Sequence, residues 1–166
     1  MKLFGLAGWS GGCKTTLLVR LIPLLIGRGL TVSTVKHAHH DFDIDQPGKD
    51  SHRHRAAGAT EVLIGSSRRW ALIHELGAAA EPVLADLLAR LSPVDLVLIE
   101  GFKREPHPKL EVWRAATGKP PLCPGDPTIV AVASDLPVDG LPVPGFCLDD
   151  PAAIAGFILE TCGFPA

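Results

Sequence analysis

Gly8-Trp9-Ser10-Gly11-Gly12-Cys13-Lys14-Thr15-Thr16 lies between a short apolar segment and a run with helical spacing. The segment before it, residues 2–7, is short and apolar, as a buried strand requires. After it, Leu17, Leu18, Leu21, Ile22 and Leu25 share one face of a helix predicted over 14–28. Gly27 and Gly29 supply its stop, and Pro23 removes one backbone bond inside it. A glycine-rich turn between strand and helix, ending in Lys-Thr, fits the phosphate-cradling pattern G-x-x-x-x-G-K-[ST]. Gly8, Lys14 and Thr15 match it, and Cys13 stands where the second glycine is expected. Small residues let the backbone N–H groups of residues 8–16 turn toward phosphate oxygens, and the helix aims its positive end at them. Lys14 is placed to reach the β- and γ-phosphates, offsetting charge there, and the Thr15 hydroxyl suits magnesium. At the mouth of a helix Cys13 is expected to take helical φ/ψ, so that its small Cβ is tolerated.

The rest of the chain repeats the alternation. Strands are predicted over 30–36, 94–99, 110–114, 128–133 and 146–148, and helices over 49–57, 78–91 and 151–161. In 78–91, Val83, Leu84, Leu87, Leu88 and Leu91 form an apolar stripe, and Pro82 suits the first turn. Residues 60–64 and 69–73 read as two strands joined at Gly65-Ser66-Ser67. Residues 37–48 and the Pro-rich 119–127 read as loops. The run 94–99 is apolar but for Asp95, the mark of a strand buried on both faces in a parallel sheet. The expected fold is therefore α/β: a P-loop NTPase with a mostly parallel sheet flanked by helices, additional short strands, and a single domain over 1–166.

The net charge is -2, so no global basic field draws the chain to nucleic acid or an acidic membrane. The longest apolar stretch, 17–26, is broken by Arg20 and Pro23, too short for a membrane span. No signal peptide is visible. Cys13, Cys123, Cys147 and Cys162 show no C-x-x-C spacing and read as reduced thiols in a cytoplasmic protein.

Two further features bear on chemistry. Leu96-Val97-Leu98-Ile99-Glu100-Gly101 resembles a Walker B strand, whose terminal acid can hold magnesium where open α/β sheets bind ligands. The stretch Lys36-His37-Ala38-His39-His40-Asp41-Phe42-Asp43-Ile44-Asp45 admits three readings: a solvated loop, a transition-metal site with His52 and His54, or a switch-like loop. In the last, Asp41 or Asp43 approaches magnesium and the γ-phosphate, and Lys49, Arg53 and Arg55 face an anionic substrate or another subunit, unless they form a solvated helix face.

With these motifs the chain resembles the MobB family, the molybdopterin-guanine dinucleotide biosynthesis proteins B. The resemblance rests on residues 8–16; on Thr34-Val-Lys-His-Ala-His-His with Phe42-Asp-Ile-Asp45; on Pro47-Gly-Lys-Asp-Ser51 with Arg53, Arg55 and Ala57-Gly-Ala59; on Leu98-Ile-Glu-Gly-Phe-Lys103 with Pro106, Lys109 and Glu111-Val112; and on Ala131-Val-Ala-Ser-Asp135. It implies a dethiobiotin-synthetase-like P-loop fold and a homodimer. It implies GTP with Mg2+, hydrolysed slowly, and association with the guanylyltransferase that attaches GMP to molybdopterin. Such a protein is an accessory or adapter, not the transferase. The guanine-reading motif N-K-x-D is impossible in a chain without Asn. Asp135, after a late strand, is the candidate to accept hydrogen bonds from guanine, a turn Asp being the plain alternative. Competing expectations are a small-molecule kinase or ATP-dependent ligase, and a metal-delivery GTPase using the His-rich loop.

Overall fold

Along the chain run β1 (Lys2–Ala7), α1 (Lys14–Ile26), β2 (Val32–Lys36), α2 (Asp50–Ala56), β3 (Glu61–Gly65), β4 (Trp70–His74), α3 (Leu84–Leu88), β5 (Leu96–Glu100), β6 (Lys109–Trp113), β7 (Ile129–Ser134), β8 (Gly145–Cys147) and α4 (Pro151–Thr161). The structure is a computed structural model and describes residues 1–38, 42–138 and 140–165. The elements fall into two compact units, Met1–His37 with Leu84–Ala166, and Ala38–Val83.

The first unit is a six-stranded sheet in the order β2-β5-β1-β6-β7-β8, parallel at every pairing. On one face Phe4, Leu6, Leu96, Leu98, Leu110 and Val112 pack with Leu17, Leu21 and Leu25 of α1 and Ile154 and Ile158 of α4. Each such side chain, fully buried, contributes about 1.5–3 kcal/mol. On the other face Val35, Val97 and Ile99 meet Leu84 of α3, while Ala7, Ile129 and Val132 meet Cys123. The parallel sheet and flanking helices are those expected.

Position in the sheet fixes where a ligand can sit. The chain leaves β1 toward β2 on one side and leaves β6 toward β7 on the other. A crevice therefore opens beyond the carboxyl ends of β1 and β6, where such sheets bind ligands. The phosphate-loop sequence starts there.

The connection from β5 to β6, residues 101–108, is too short for a crossover helix and lies over β1. Gly5 makes room for it, since a Cβ there would stand 2.5 Å from His107 Nε2. Lys109, fully buried, donates from Nζ to the carbonyls of Glu105 and His107 (3.1 Å to the latter) and to Thr128 Oγ1 at 2.7 Å. Burial lowers its pKa, against the pull of Asp126 and Glu105. His107 beside it is buried with neither ring nitrogen hydrogen-bonded. Burial, and then the Lys109 charge, push it down to about 4.

Two expectations need correction. The helix predicted over 78–91 is confined to Leu84–Leu88. Pro82 pushes the residue before it out of the α region, so the apolar stripe gains no helix upstream. Downstream, Arg90 N–H donates to Leu87 O and Leu91 N–H to Leu88 O, a tightened turn that ends the helix. The first helix stops at Ile26, two residues early, as Arg28 N–H and Gly29 N–H turn to Leu25 O and Ile26 O and Gly29 takes the left-handed φ of 84°. The predicted strands 60–64, 69–73, 110–114, 128–133 and 146–148 are each displaced from the observed ones by about one residue, the usual uncertainty at element ends.

The second unit holds α2 and the antiparallel hairpin β3-β4, paired Glu61↔His74 through Gly65↔Trp70. Arg55 anchors it. Its guanidinium donates to both Asp43 carboxylate oxygens at 2.9 and 3.0 Å and to Glu75 Oε1 at 2.9 Å, and pairs with Asp45 at 3.3 Å. These bonds raise the Arg55 pKa. One hairpin face carries Leu63, Leu72 and Trp70, of which Leu63 and Trp70 are each 68% exposed.

Candidate functional site

Gly8 follows β1 with φ 136°, and a Cβ there would lie 2.3 Å from the Val112 carbonyl oxygen of β6. Only glycine lets the loop pass this close to its neighbouring strand. Trp9 follows, half-buried, its indole N–H donating to Pro120 O at 2.9 Å. Ser10 and Gly11 are exposed, and Gly11 has φ 82°. Gly12 is buried and donates back to Trp9 O at 3.2 Å, closing the turn. Thr16 is exposed in the first turn of α1.

Cys13 corrects the expectation drawn from the sequence. It caps α1 with φ 65° and ψ 28°, left-handed rather than helical. The chain must reverse its sense here to bring the loop onto the helix axis, which is why a glycine is expected at this step. The Sγ–H points to Gly11 O at 3.7 Å.

Lys14 folds back over the loop, donating from Nζ to Gly8 O at 3.1 Å and Trp9 O at 3.0 Å. Burial lowers its pKa; Glu100 raises it, and Lys103 and Lys36 lower it again. An ammonium held at the cradle by two carbonyls is set to meet an anion. The Thr15 hydroxyl donates to Glu100 at 2.9 and 3.1 Å, and Lys36 Nζ lies 3.7 Å from the same carboxylate. The fold thus joins residue 15, in the first turn of α1, to residue 100, at the end of β5. A hydroxyl and a carboxylate are hard oxygen donors, the set that suits magnesium.

Asp135 sits just past β7, its carboxylate 3.6 Å from Arg114 Nη1 at the end of β6. A cavity of about 430 Å³ opens beside it, lined by Ser134, Asp135, Leu136, Val138, Phe146 and Cys147. Asp135 is thus on the carboxyl side of the sheet, beyond the crevice. Glu111, fully buried in β6, accepts from Leu122 N–H at 2.8 Å and Cys123 N–H at 2.9 Å and so ties down the loop that follows.

Asp41 lies outside the described residues, as do His39 and His40. Asp43 is engaged by Arg55, so that Arg55 serves three carboxylates and not an external anion. Among the described residues no group of three or more His, Cys, Asp or Glu side chains converges to hold a metal.

The sequence reading assigned no role to Lys36, Lys103, Arg114 or Lys119. Lys103 and Lys119 place their ammoniums 5.0 and 4.5 Å from the Trp9 ring centroid. A cation three residues after the Walker B acid is a signal that could have been noticed for Lys103. Nothing local marks Lys119, which the fold brings in from the β6–β7 connection.

Comparison with known proteins agrees with this geometry. Residues 3–135 match the family model of MobB, "Molybdopterin guanine dinucleotide synthesis protein B". The chain is 42% identical over 163 residues to the molybdopterin-guanine dinucleotide biosynthesis adapter protein of Escherichia coli (strain K12), covering 96% of this chain and 93% of that one. With the adapter protein of Haemophilus influenzae it is 44% identical over 142 residues, 84% and 78% of the two chains. The crystal structure of Bacillus subtilis MobB shares the fold, with a TM-score of 0.76 over 98% of both chains at 24% identity. A phosphate-loop sheet with these matches over most of its length has one assignment: the chain belongs to the MobB family of molybdopterin guanine dinucleotide synthesis proteins.

Proposed function

We propose that this chain is a GTP-binding adapter in molybdenum cofactor synthesis, hydrolysing GTP slowly with Mg2+. The observation that carries the reading is the pairing of Thr15 Oγ1 with the Glu100 carboxylate, 2.9 Å apart, at the mouth of a loop that only glycine can thread past Val112. Residues 8–16 hold the phosphates, and Lys14 sets its charge against the γ-phosphoryl oxygens. Thr15 and Glu100 hold the magnesium, with Asp41 as a further candidate. The ion, when bound, supplies charge that offsets the phosphate oxygens. Asp135 reads guanine: its carboxylate suits the N1–H and N2 donors and gains nothing comparable from adenine.

The family places the protein in molybdopterin guanine dinucleotide synthesis. The finer reading is that it serves the guanylyltransferase that attaches GMP to molybdopterin, in the cytoplasm, as a homodimer. Four free cysteines support the compartment. The exposed Leu63, Leu72 and Trp70 on a two-stranded sheet support a self-association surface, since such a hairpin is marginal alone and presents two open edges.

Equilibrium binding of GTP and ATP to the wild type and Asp135→Ala tests the base assignment. Wild type is expected to prefer GTP, and the variant to lose several-fold of that preference, as fits a charged hydrogen bond of about 1.5–3 kcal/mol. Equal selectivity in both proteins removes Asp135 from the site.

A further inference from the structure

The chain leaving β5 turns back over the phosphate loop. Gly101 and Phe102 are consecutive left-handed residues, with φ 98° and 48°. At Gly101 a Cβ would meet the His37 Cβ at 2.7 Å, and the Phe102 ring packs on His37 with centroids 4.8 Å apart. L side chains resist this conformation, so the turn is held by its surroundings and fixes where the next residue goes. That residue is Lys103, with Nζ 5.0 Å from the Trp9 ring centroid. Its charge is felt at Lys14, whose ammonium it helps to depress.

Lys119 reaches the same ring at 4.5 Å, but from the connection after β6. Strands β5 and β6 flank β1 on opposite sides, so the two lysines come to the loop from opposite sides of the crevice. The Glu100 carboxylate, with Thr15 on it, marks the β5 side. Thr15 and Glu100 would hold a magnesium ion, whose charge would offset that of the terminal phosphate oxygens; both would set that end of a triphosphate on the β5 side, the side of Lys103.

We propose that Lys103 is a second phosphate-binding lysine, specific for the γ-phosphoryl group, with the Trp9 ring holding its ammonium close to the loop. The inference rests on the nucleotide reading above and deepens it. A cation on a ring at the protein surface is weakly held, and here two ammoniums share the half-buried Trp9 ring and repel each other. A terminal phosphoryl dianion is the stronger partner, and a diphosphate offers none at that place. Lys103 is thereby the residue that tells a triphosphate from a diphosphate, while Lys14 serves both.

Calorimetry with Mg2+, using GDP and a non-hydrolysable β,γ-imido GTP analogue, separates these roles. Lys103→Ala is expected to weaken the analogue about tenfold, as one charged hydrogen bond to phosphate implies, and to leave GDP unchanged. Lys103→Arg is expected to keep the wild-type preference, and Lys14→Ala to weaken both nucleotides. Lys103→Gln, which keeps most of the length, replaces the alanine variant if truncation disturbs the turn. An unchanged ratio of analogue to GDP affinity in Lys103→Ala, or an equal loss of both, overturns the assignment. A wild-type chain that binds neither nucleotide overturns the nucleotide reading itself, and this inference with it.

Discussion

Cys13 is the residue of the phosphate loop that carries a side chain in the left-handed region, with φ 65°. Left-handed backbone costs an L residue about 1–2 kcal/mol, partly offset in glycine by its larger unfolded-chain entropy. Cys13→Gly is therefore expected to stabilise the fold by about 0.5–1 kcal/mol and to tighten nucleotide binding, both read from thermal melts with and without Mg·GTP. Glu100→Gln keeps the size of the side chain and the contact with Thr15 but removes the negative charge that a magnesium ion needs. Its expected effect is a loss of magnesium-dependent hydrolysis that exceeds any loss of binding; unchanged hydrolysis across a magnesium titration counts against Glu100 as a ligand. At this scale the loop was legible because its spacing is itself the mechanism. The conformation of Cys13 was not, because it depends on how the loop joins the helix axis. Lys119 was not, because only the sheet order brings it to Trp9.

The strand β6 illustrates what an element adds to its residues. It begins at a buried lysine and holds a buried glutamate two positions later, charges that a strand pattern alone assigns to solvent. Both are anchors: Lys109 gathers the connection from β5, and Glu111 the loop after β6. Glu111→Ala leaves the amides of Leu122 and Cys123 without their acceptor, and urea unfolding is expected to show a loss on the order of 3 kcal/mol. His107 gives this element a pH dependence. Its ordinary value of 6.5 is lowered to about 4 by burial and by Lys109. Between these values the unfolded chain takes up a proton that the folded chain refuses. The stabilisation is thus complete above pH 6.5 and is lost as pH falls toward 4, on the order of 3 kcal/mol in all. His107→Leu is expected to flatten the fall in urea stability over that range; an identical slope in both proteins removes His107 as its source. Element types were readable from hydrophobic period, since β5 is apolar up to its terminal Glu100 and α4 keeps its bounds. The length of α3 was not, because the stripe runs on to Leu91 although the helix ends at Leu88 in a tightened turn, and Pro82 bars helix before it.

For the whole molecule, the alternation of strand and helix predicted a parallel sheet, and the sheet order then placed the loop beside β5 and β6. That order was out of reach of the sequence, because nothing local says that β5 inserts between β1 and β2. If the hairpin face serves self-association, Leu63→Lys with Trp70→Lys is expected to turn a dimer into a monomer in sedimentation equilibrium while the sheet unit keeps its melting point. Wild type sedimenting as a monomer at every concentration ends that reading. The central claim is narrower: residues 8–16 bind a guanine nucleotide with magnesium. Isothermal calorimetry of GTP into wild type and Lys14→Ala, each with Mg2+ and with chelator, tests it most directly. The account predicts one saturable GTP site per chain in the wild type, weakened without the ion, and no measurable binding in Lys14→Ala with its fold intact. Wild-type affinity in Lys14→Ala, or no GTP binding by the wild type with magnesium present, would contradict it.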